Sequence, residues 1–253
     1  MRITDRIYLV GSGRTGFSLT DDYDCHVYAV DAGSEIVLID AGGGRATEKI
    51  LDVVRSDGLA PERISHLLLT HVHGDHAAGA KGLRDAIESL AGRPPTIYAH
   101  AIAAGWLRAG DETAISLDVA RATEMYPPDF AFPACPVDRE LDDDDTVEIG
   151  DLTFRAIASP GHSRGHLSYV VSINDRLQLF AGDALFFGGR VSLQNTWDCS
   201  IQETTSTIER LSALDWDGFY PGHLSFSVTD GHRHVDAAVR AVRRLGIPNP
   251  LVV

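Results

Sequence analysis

Cysteine is scarce in this sequence. Only Cys25, Cys135 and Cys199 occur among 253 residues, and an odd, widely spaced set supports neither a disulfide framework nor a paired-cysteine metal site. Buried free thiols in a reducing compartment are the expected state. Long apolar runs are missing too. No 18-residue stretch could span a bilayer, and the opening MRITDRIYLV lacks an apolar core of signal-peptide length. A cytoplasmic protein without membrane contact is therefore expected. Positive charge is in deficit, with 22 basic residues against 36 acidic ones and a net charge of −14. That argues against nucleic acid or an anionic membrane as partner, because both need clustered Lys and Arg. Low-complexity tracts are absent, and 44% hydrophobic with 23% charged residues is an ordinary globular composition. The length is enough to bury a substantial core in one large domain or two small ones.

What is present is concentrated in His71-Val72-His73-Gly74-Asp75-His76. Residues 64–70 (ISHLLLT) before it form an apolar run of strand length. Residues 77–90 after it have helical composition, with Leu83, Ile87 and Leu90 as the apolar positions. The cluster thus falls where a buried strand gives way to a helix. On an extended backbone His71 and His73 leave the same side. Asp75 and His76 can join them only through a turn, which Gly74 eases. Two neighbouring sets of ligands are expected, completed from elsewhere in the chain.

Residues 7–10 read as a strand followed by Gly11-Ser-Gly-Arg-Thr-Gly16. A dinucleotide site would need a helix to start inside these glycines. The next residues, FSLTDDYD, supply none, so a plain loop is expected, or a mobile one near a site mouth. Residues 25–31 and 35–40 read as a hairpin of strands, and 46–56 as a helix. Asp40, at the end of the second strand, is either a helix-capping residue or a hydrogen-bond partner for a ligand histidine. Further on, PTIYAH reads as a strand, 101–126 as mostly helical and 127–136 as proline-punctuated loop. The acidic run at 142–145 reads as a solvated turn. TVEIG, LTFRAIAS, SYVVSIN and RLQLFAG read as strands. A capping box at Ser200 and Glu203 opens a helix with Ile201, Ile208 and Leu211 inward. A short strand at 217–221 and a closing helix over 231–245, with Val235, Val239 and Val242 on one face, complete the chain. Strand blocks each followed by helices suggest helices outside two packed sheets.

Four segments end a strand in a polar residue beside glycine: HVHGDH, Pro160-Gly161-His162, Gly182-Asp183 and Pro221-Gly222-His223. With IDAG, THVHGDH, SPGHSRGH, FAGD and YPGH in family order and spacing, the chain resembles the metallo-β-lactamase-fold hydrolase superfamily, in its glyoxalase II and lactonase-like branch. The resemblance implies an α/β fold, a four-layer αβ/βα sandwich formed by residues 1–253 as a single domain. It implies that His71, His73 and His162 hold one metal, that Asp75, His76 and His223 hold a second, and that Asp183 bridges. Asp40 would hydrogen-bond a ligand histidine and His166 would give support from beyond the metals. Asp75 would move a proton as well as bind. Two zinc ions are the implied cofactors, and iron or manganese would suit the same donors. Such ions, about 3.5–4 Å apart, share a hydroxide whose parent water has a pKa near 7. It would attack the carbonyl of an ester, thioester or lactone in a small acyl substrate, so no serine or cysteine nucleophile is required.

Departures from the family patterns narrow the substrate. A bridging Asp183 without a leader disfavours β-lactams. Glyoxalase II enzymes carry a further C-terminal helical region that binds glutathione, whereas this sequence ends 30 residues after His223, so glutathione thioesters are not the expected substrates. Phe186 stands where quorum-quenching lactonases place a tyrosine, and Gly188-Gly189-Arg190-Val191-Ser192 replaces the GCGRTDF stretch of persulfide dioxygenases. Phe186, Phe187, Trp197 and Trp106 are candidate pocket walls. Arg190 is either a carboxylate-binding residue or plain surface. A homodimer is compatible with the composition. A mononuclear iron oxygenase or a phosphodiesterase on the same fold are the alternatives.

Overall fold

Strand residues here alternate between two apolar environments, which is why the strands read as nearly continuous hydrophobic runs. Val27 and Ala29 pack with the helices on one side, whereas Tyr28 and Val30 face a second sheet. The computed structural model describes residues 1–251. Its first sheet comprises β1 (Ile7–Gly11), β2 (Val27–Asp31), β3 (Ile36–Ile39), β4 (Ile64–Leu68), β5 (Thr96–His100) and β6 (Arg139–Leu141), in that order. The first three are antiparallel and the rest run parallel to β3. The second sheet has the order β11 (Gly218–Pro221), β10 (Arg176–Gly182), β9 (Leu167–Ile173), β8 (Leu152–Ala158), β7 (Thr146–Ile149).

The helices form the outer layers. α1 (Thr47–Ser56), the four-residue α2 (Gly74–Ala77), α3 (Ala80–Ala91), α4 (Ala101–Ala109) and α5 (Leu117–Ala122) lie on the side of the first sheet. α6 (Ile201–Ser212) and α7 (His232–Arg243) cover the second. Between the sheets sits a core that includes Leu68, Phe154, Tyr169 and Phe180. The expected four-layer sandwich is what forms.

Local departures have local causes. The helix expected over 77–90 starts earlier, inside the histidine motif, and breaks at Ala78–Gly79. A Cβ on Gly79 would lie 2.0 Å from the Ala41 carbonyl oxygen, so β3's exit loop presses on the helix there. Ile201, expected inward, is exposed, and so is Leu90, one of the apolar positions of the helix after the histidine motif. Thr204 and Thr207 take the inner face of α6 with Ile208 and Leu211. Of the expected capping box only one half forms: Ser200 Oγ accepts from the Glu203 amide at 3.2 Å, whereas the Ser200 amide donates to the Gly161 carbonyl at 2.7 Å and not to the Glu203 side chain. Strand β6 carries two exposed charged residues and one buried apolar one, too weak a pattern to read in advance.

Cross-sheet hydrogen bonds fix the seam at the end where β3, β4, β8, β10 and β11 run out. The Tyr169 hydroxyl donates to the Leu69 carbonyl at 2.8 Å and the Leu167 amide to that of Thr70 at 2.7 Å. The Tyr28 hydroxyl donates to the Pro221 carbonyl at 2.9 Å and the His26 amide to that of Gly222 at 2.7 Å. Each bond satisfies a buried polar group and pins a strand end of one sheet against the other.

Candidate metal centre

The four strand-end segments converge on this seam. After β4 the chain stays extended to His73 (φ −62°, ψ 157°) and then turns into α2. The rings of His71 and His73 end with centroids 4.7 Å apart. Asp75 and His76 enter from the first turn of α2. Gly74 is needed there for space rather than for backbone freedom: a Cβ would lie 2.7 Å from the Phe130 ring. His162 arrives from the loop after β8, Asp183 from the end of β10 and His223 from the end of β11. A Cβ on Gly222 would lie 2.2 Å from Asp183 Oδ1, so this backbone can pass only as glycine.

Among the groups of ligand atoms that result are His71–His73–His162 and Asp75–His76–His223, with a further group, His71–His76–Asp183, joining them, each with its donors within 4.8 Å of one another. His73 Nδ1 and His162 Nε2 are 2.9 Å apart, and His223 Nε2 is 3.0 Å from Asp75 Oδ2. Asp183 stands between the groups. Its Oδ2 is 3.6 Å from His162 Nε2 and 3.5 Å from His223 Nε2, and its Oδ1 is 3.3 Å from His76 Nε2.

The outward faces of four of these rings are tied down, while that of His162 is not, its Nδ1 being buried without a partner. His76 Nδ1 meets Asp40 Oδ2 at 2.8 Å, and Asp40 also accepts from the Thr70 amide and hydroxyl. Asp40 is held at φ +63°, an uncommon backbone state for a residue that is not glycine. His223 Nδ1 meets Thr15 Oγ1 at 2.8 Å, His73 Nε2 meets Asp198 Oδ2 at 3.2 Å, and His71 Nδ1 meets Thr70 Oγ1 at 3.1 Å. His166 Nε2 accepts from the Asp183 amide at 3.0 Å while its Nδ1 meets Ser159 Oγ at 2.7 Å. The inward atoms His71 Nε2, His76 Nε2 and Asp183 Oδ1 are buried without a hydrogen-bond partner. Orphaned donors aimed at one point, with their other ends fixed, are what cations require. The residues present therefore fit metal ions.

Protonation agrees. Burial pushes His71 and His166 well below the ordinary imidazole value and His162 down to about 4, so these rings are neutral, the form that ligates. Burial works against ionising Asp75 and Asp183, but His76 and His223 outweigh it and hold both carboxyls below their usual range. Cys25 also lies near Asp40 and His76. Burial pushes its thiol far up, so it remains protonated and apolar in character.

Several residues at the site carry no motif. Asp198 is buried and accepts from Ser163 Oγ at 2.8 Å as well as facing His73. The Tyr126 hydroxyl donates to Asp75 Oδ1 at 2.6 Å, with its ring stacked on Phe130 at 4.3 Å. Thr15 and Arg14 come from the glycine-rich segment 11–16, which borders the site as a loop tied by bonds such as Leu224 N to Thr15 O at 2.9 Å. Of the proposed aromatic walls, none lines the cavity over the cluster. Phe186 is wholly buried behind His223, Phe187 packs on His234, and Trp197 stacks edge-on with Trp106 at the surface. Arg190 is exposed, and so are Asp142 to Asp145. Cys25 and Cys135 are free and buried, whereas Cys199 is only half-buried.

Fold and site together define an α/β sandwich protein whose histidine and aspartate clusters are able to hold metal. The metallo-beta-lactamase superfamily model matches residues 20–223, and the chain belongs to that superfamily. It is 26% identical over 201 residues to an atrochrysone carboxyl ACP thioesterase of Aspergillus fumigatus, covering 78% of this chain and 50% of the relative. It is 27% identical over 196 residues to a hydroxyacylglutathione hydrolase of Cupriavidus taiwanensis, covering 77% and 60%. The chain thus spans about half the length of the first curated relatives it matches. Among solved structures, BJP-1, a subclass B3 metallo-beta-lactamase of Bradyrhizobium japonicum, superposes with a TM-score of 0.71 at 23% identity. That match covers 97% of this chain and 91% of the other, a likeness of fold. Among the described residues no helix is long and apolar enough to cross a membrane.

Proposed function

We propose that residues 1–253 act as one catalytic unit, a dinuclear metal-dependent hydrolase that cleaves the carbonyl bond of an ester, thioester or lactone in a small acyl substrate. The observation that carries this reading is the position of Asp183, whose Oδ2 is nearly equidistant from His162 and His223, one from each ligand group. His71, His73 and His162 would hold one cation, Asp75, His76 and His223 the other, with Asp183 common to both. Zinc suits these donors, and a bound pair supplies Lewis acidity for the carbonyl and a water acidic enough to act as nucleophile near neutral pH.

The chain's own residues do the rest. Asp40, Thr15 and Asp198 fix the rings of His76, His223 and His73. His166 holds the backbone of Asp183. Asp75 has Oδ1 held by the Tyr126 hydroxyl, which turns Oδ2 toward His223 as the oxygen that would hold a cation, and a proton relay to the leaving group would fall to the same carboxylate, at Oδ1 through its Tyr126 partner. The names of the thioesterase and hydroxyacylglutathione hydrolase relatives favour a thioester.

Metal analysis of protein prepared without added metal, followed by an ester, thioester and lactone panel, tests the reading. Two cations per chain and chelator-sensitive carbonyl hydrolysis are expected. A single iron with oxygen uptake overturns it.

A further inference from the structure

Space around the cluster is unevenly distributed. The cavity directly over the ligand residues has a volume of about 80 Å³, room for a carbonyl and little more. Beside His73 a second cavity of about 380 Å³ opens. The two share His73, Met125, Tyr126 and Gln194, so a molecule reaching the cluster extends directly into the larger space. Its other walls are Gly74, then Ile115, Ser116, Val119, Ala120 and Thr123 around α5, and Leu193, Asn195 and Thr196 from the segment before Asp198, so that apolar side chains alternate with uncharged hydroxyls and amides. Among the described residues no Asp, Glu, Lys or Arg lines it. The walls are fastened together: Trp197 Nε1 donates to the Ala114 carbonyl at 3.1 Å, and Arg121 on α5 makes a two-pronged ion pair with Glu112. A third cavity, on the His223 side, is lined by Arg14, Phe17 and Leu224 and touches none of the proposed ligands.

We infer that the chamber beside His73 is the acyl pocket and that it selects an uncharged aliphatic acyl group of about six to ten non-hydrogen atoms. The inference deepens the hydrolase reading and rests on it. An apolar chain gains by leaving water for these walls. A terminal carboxylate would be desolvated there with no cation to meet it, which is costly. The leaving group then departs on the opposite side, where Arg14 stands at the mouth.

The test uses metal-loaded protein and straight-chain alkanoates from acetate to decanoate, with binding measured by calorimetry. Affinity should rise about three- to fourfold per methylene, as burial of each CH₂ predicts, and level off near about eight carbons. Octanedioate should bind at least about tenfold more weakly than octanoate. Ala120→Phe, which fills the chamber, should flatten the series. Affinity independent of chain length in the unmodified protein overturns the pocket, even if Ala120→Phe fails to fold. Thioesters of the same acyl lengths separate the two claims. A rising alkanoate series without hydrolysis of any ester, thioester or lactone keeps the pocket and removes the hydrolytic reading. Hydrolysis that ignores chain length, with flat alkanoate binding, does the reverse.

Discussion

Asp198 Oδ2 lies 3.2 Å from His73 Nε2, on the side of the ring opposite the nitrogen that faces His162. The carboxyl is buried, which works against its charge, yet hydrogen bonds from His73 and Ser163 outweigh that cost and hold its pKa below the usual range. An ionised carboxylate behind an imidazole fixes the tautomer and raises the basicity of the opposite nitrogen. Asp198→Ala should therefore weaken cation affinity by about 10- to 100-fold, with Asp198→Asn retaining more of it. Competition with a coloured chelator measures this. Unchanged affinity in the alanine variant would remove Asp198 from the account.

Asp183 Oδ2 lies 3.6 Å from His162 Nε2 and 3.5 Å from His223 Nε2, one ring from each proposed ligand group. Asp183→Ala should lower metal content below two per chain and abolish nearly all turnover, by about a thousandfold or more. A variant that keeps two cations and normal rates would falsify the bridge. Elemental analysis and kcat on the same preparation decide it.

Tyr126 acts on Asp75 and not on a cation. Tyr126→Phe removes the hydrogen bond at 2.6 Å but leaves the proposed ligands in place. Metal content should stay at the unmodified level while kcat falls by about 10-fold, within the range for a perturbed acid–base group. Loss of metal together with activity would show that the hydroxyl is instead part of the binding framework.

Without cations, several largely buried carboxylates and imidazoles would face one another across the site. Ligand linkage predicts that protein held at a thousandfold excess of metal over its dissociation constant is more stable by about 4 kcal/mol than the apo form. For a chain of this size that is a fall in Tm of about 10 °C on chelation, read by calorimetry. An unchanged Tm would mean that no cation binds the folded state preferentially.

Glu112 receives both prongs of the Arg121 guanidinium, at 2.7 and 2.8 Å, and that bond holds its pKa below the ordinary 4.5. A depressed carboxyl pKa stabilises the fold above the unfolded value, and the contribution is lost as pH falls through the folded value. The pair is partly exposed, so its worth is about 0.5 kcal/mol. Glu112→Gln should lower Tm by about 1–2 °C at neutral pH, and the gap should close in acid below that range. A gap that persists in acid would assign the effect to packing.

Helices outside two packed sheets were legible from local rules, whereas the four-layer sandwich and the meeting of the seven proposed ligands were legible through the family resemblance. Each ligand-bearing segment follows a strand and contains a glycine, and the glycine at 222 has its reason in a neighbour only 2.2 Å away. Asp198, Tyr126 and Thr15 were not legible. They come from irregular segments, lie 125, 51 and 208 residues from the side chains they hold, and belong to no spacing pattern. Aromatic residues misled for a related reason. Phe186 is the size of a pocket wall but sits wholly within the core, and nothing in the chain's order distinguishes those two fates.

Each proposed ligand group draws from both halves of the sandwich: His71, His73, Asp75 and His76 follow β4, while His162, Asp183 and His223 follow strands of the other sheet. Neither proposed ligand group is complete on one half alone. Strong cation capture should therefore be among the last events of folding, appearing only once the two halves have closed on each other. A refolding chain will acquire its catalytic centre and its final architecture in the same step.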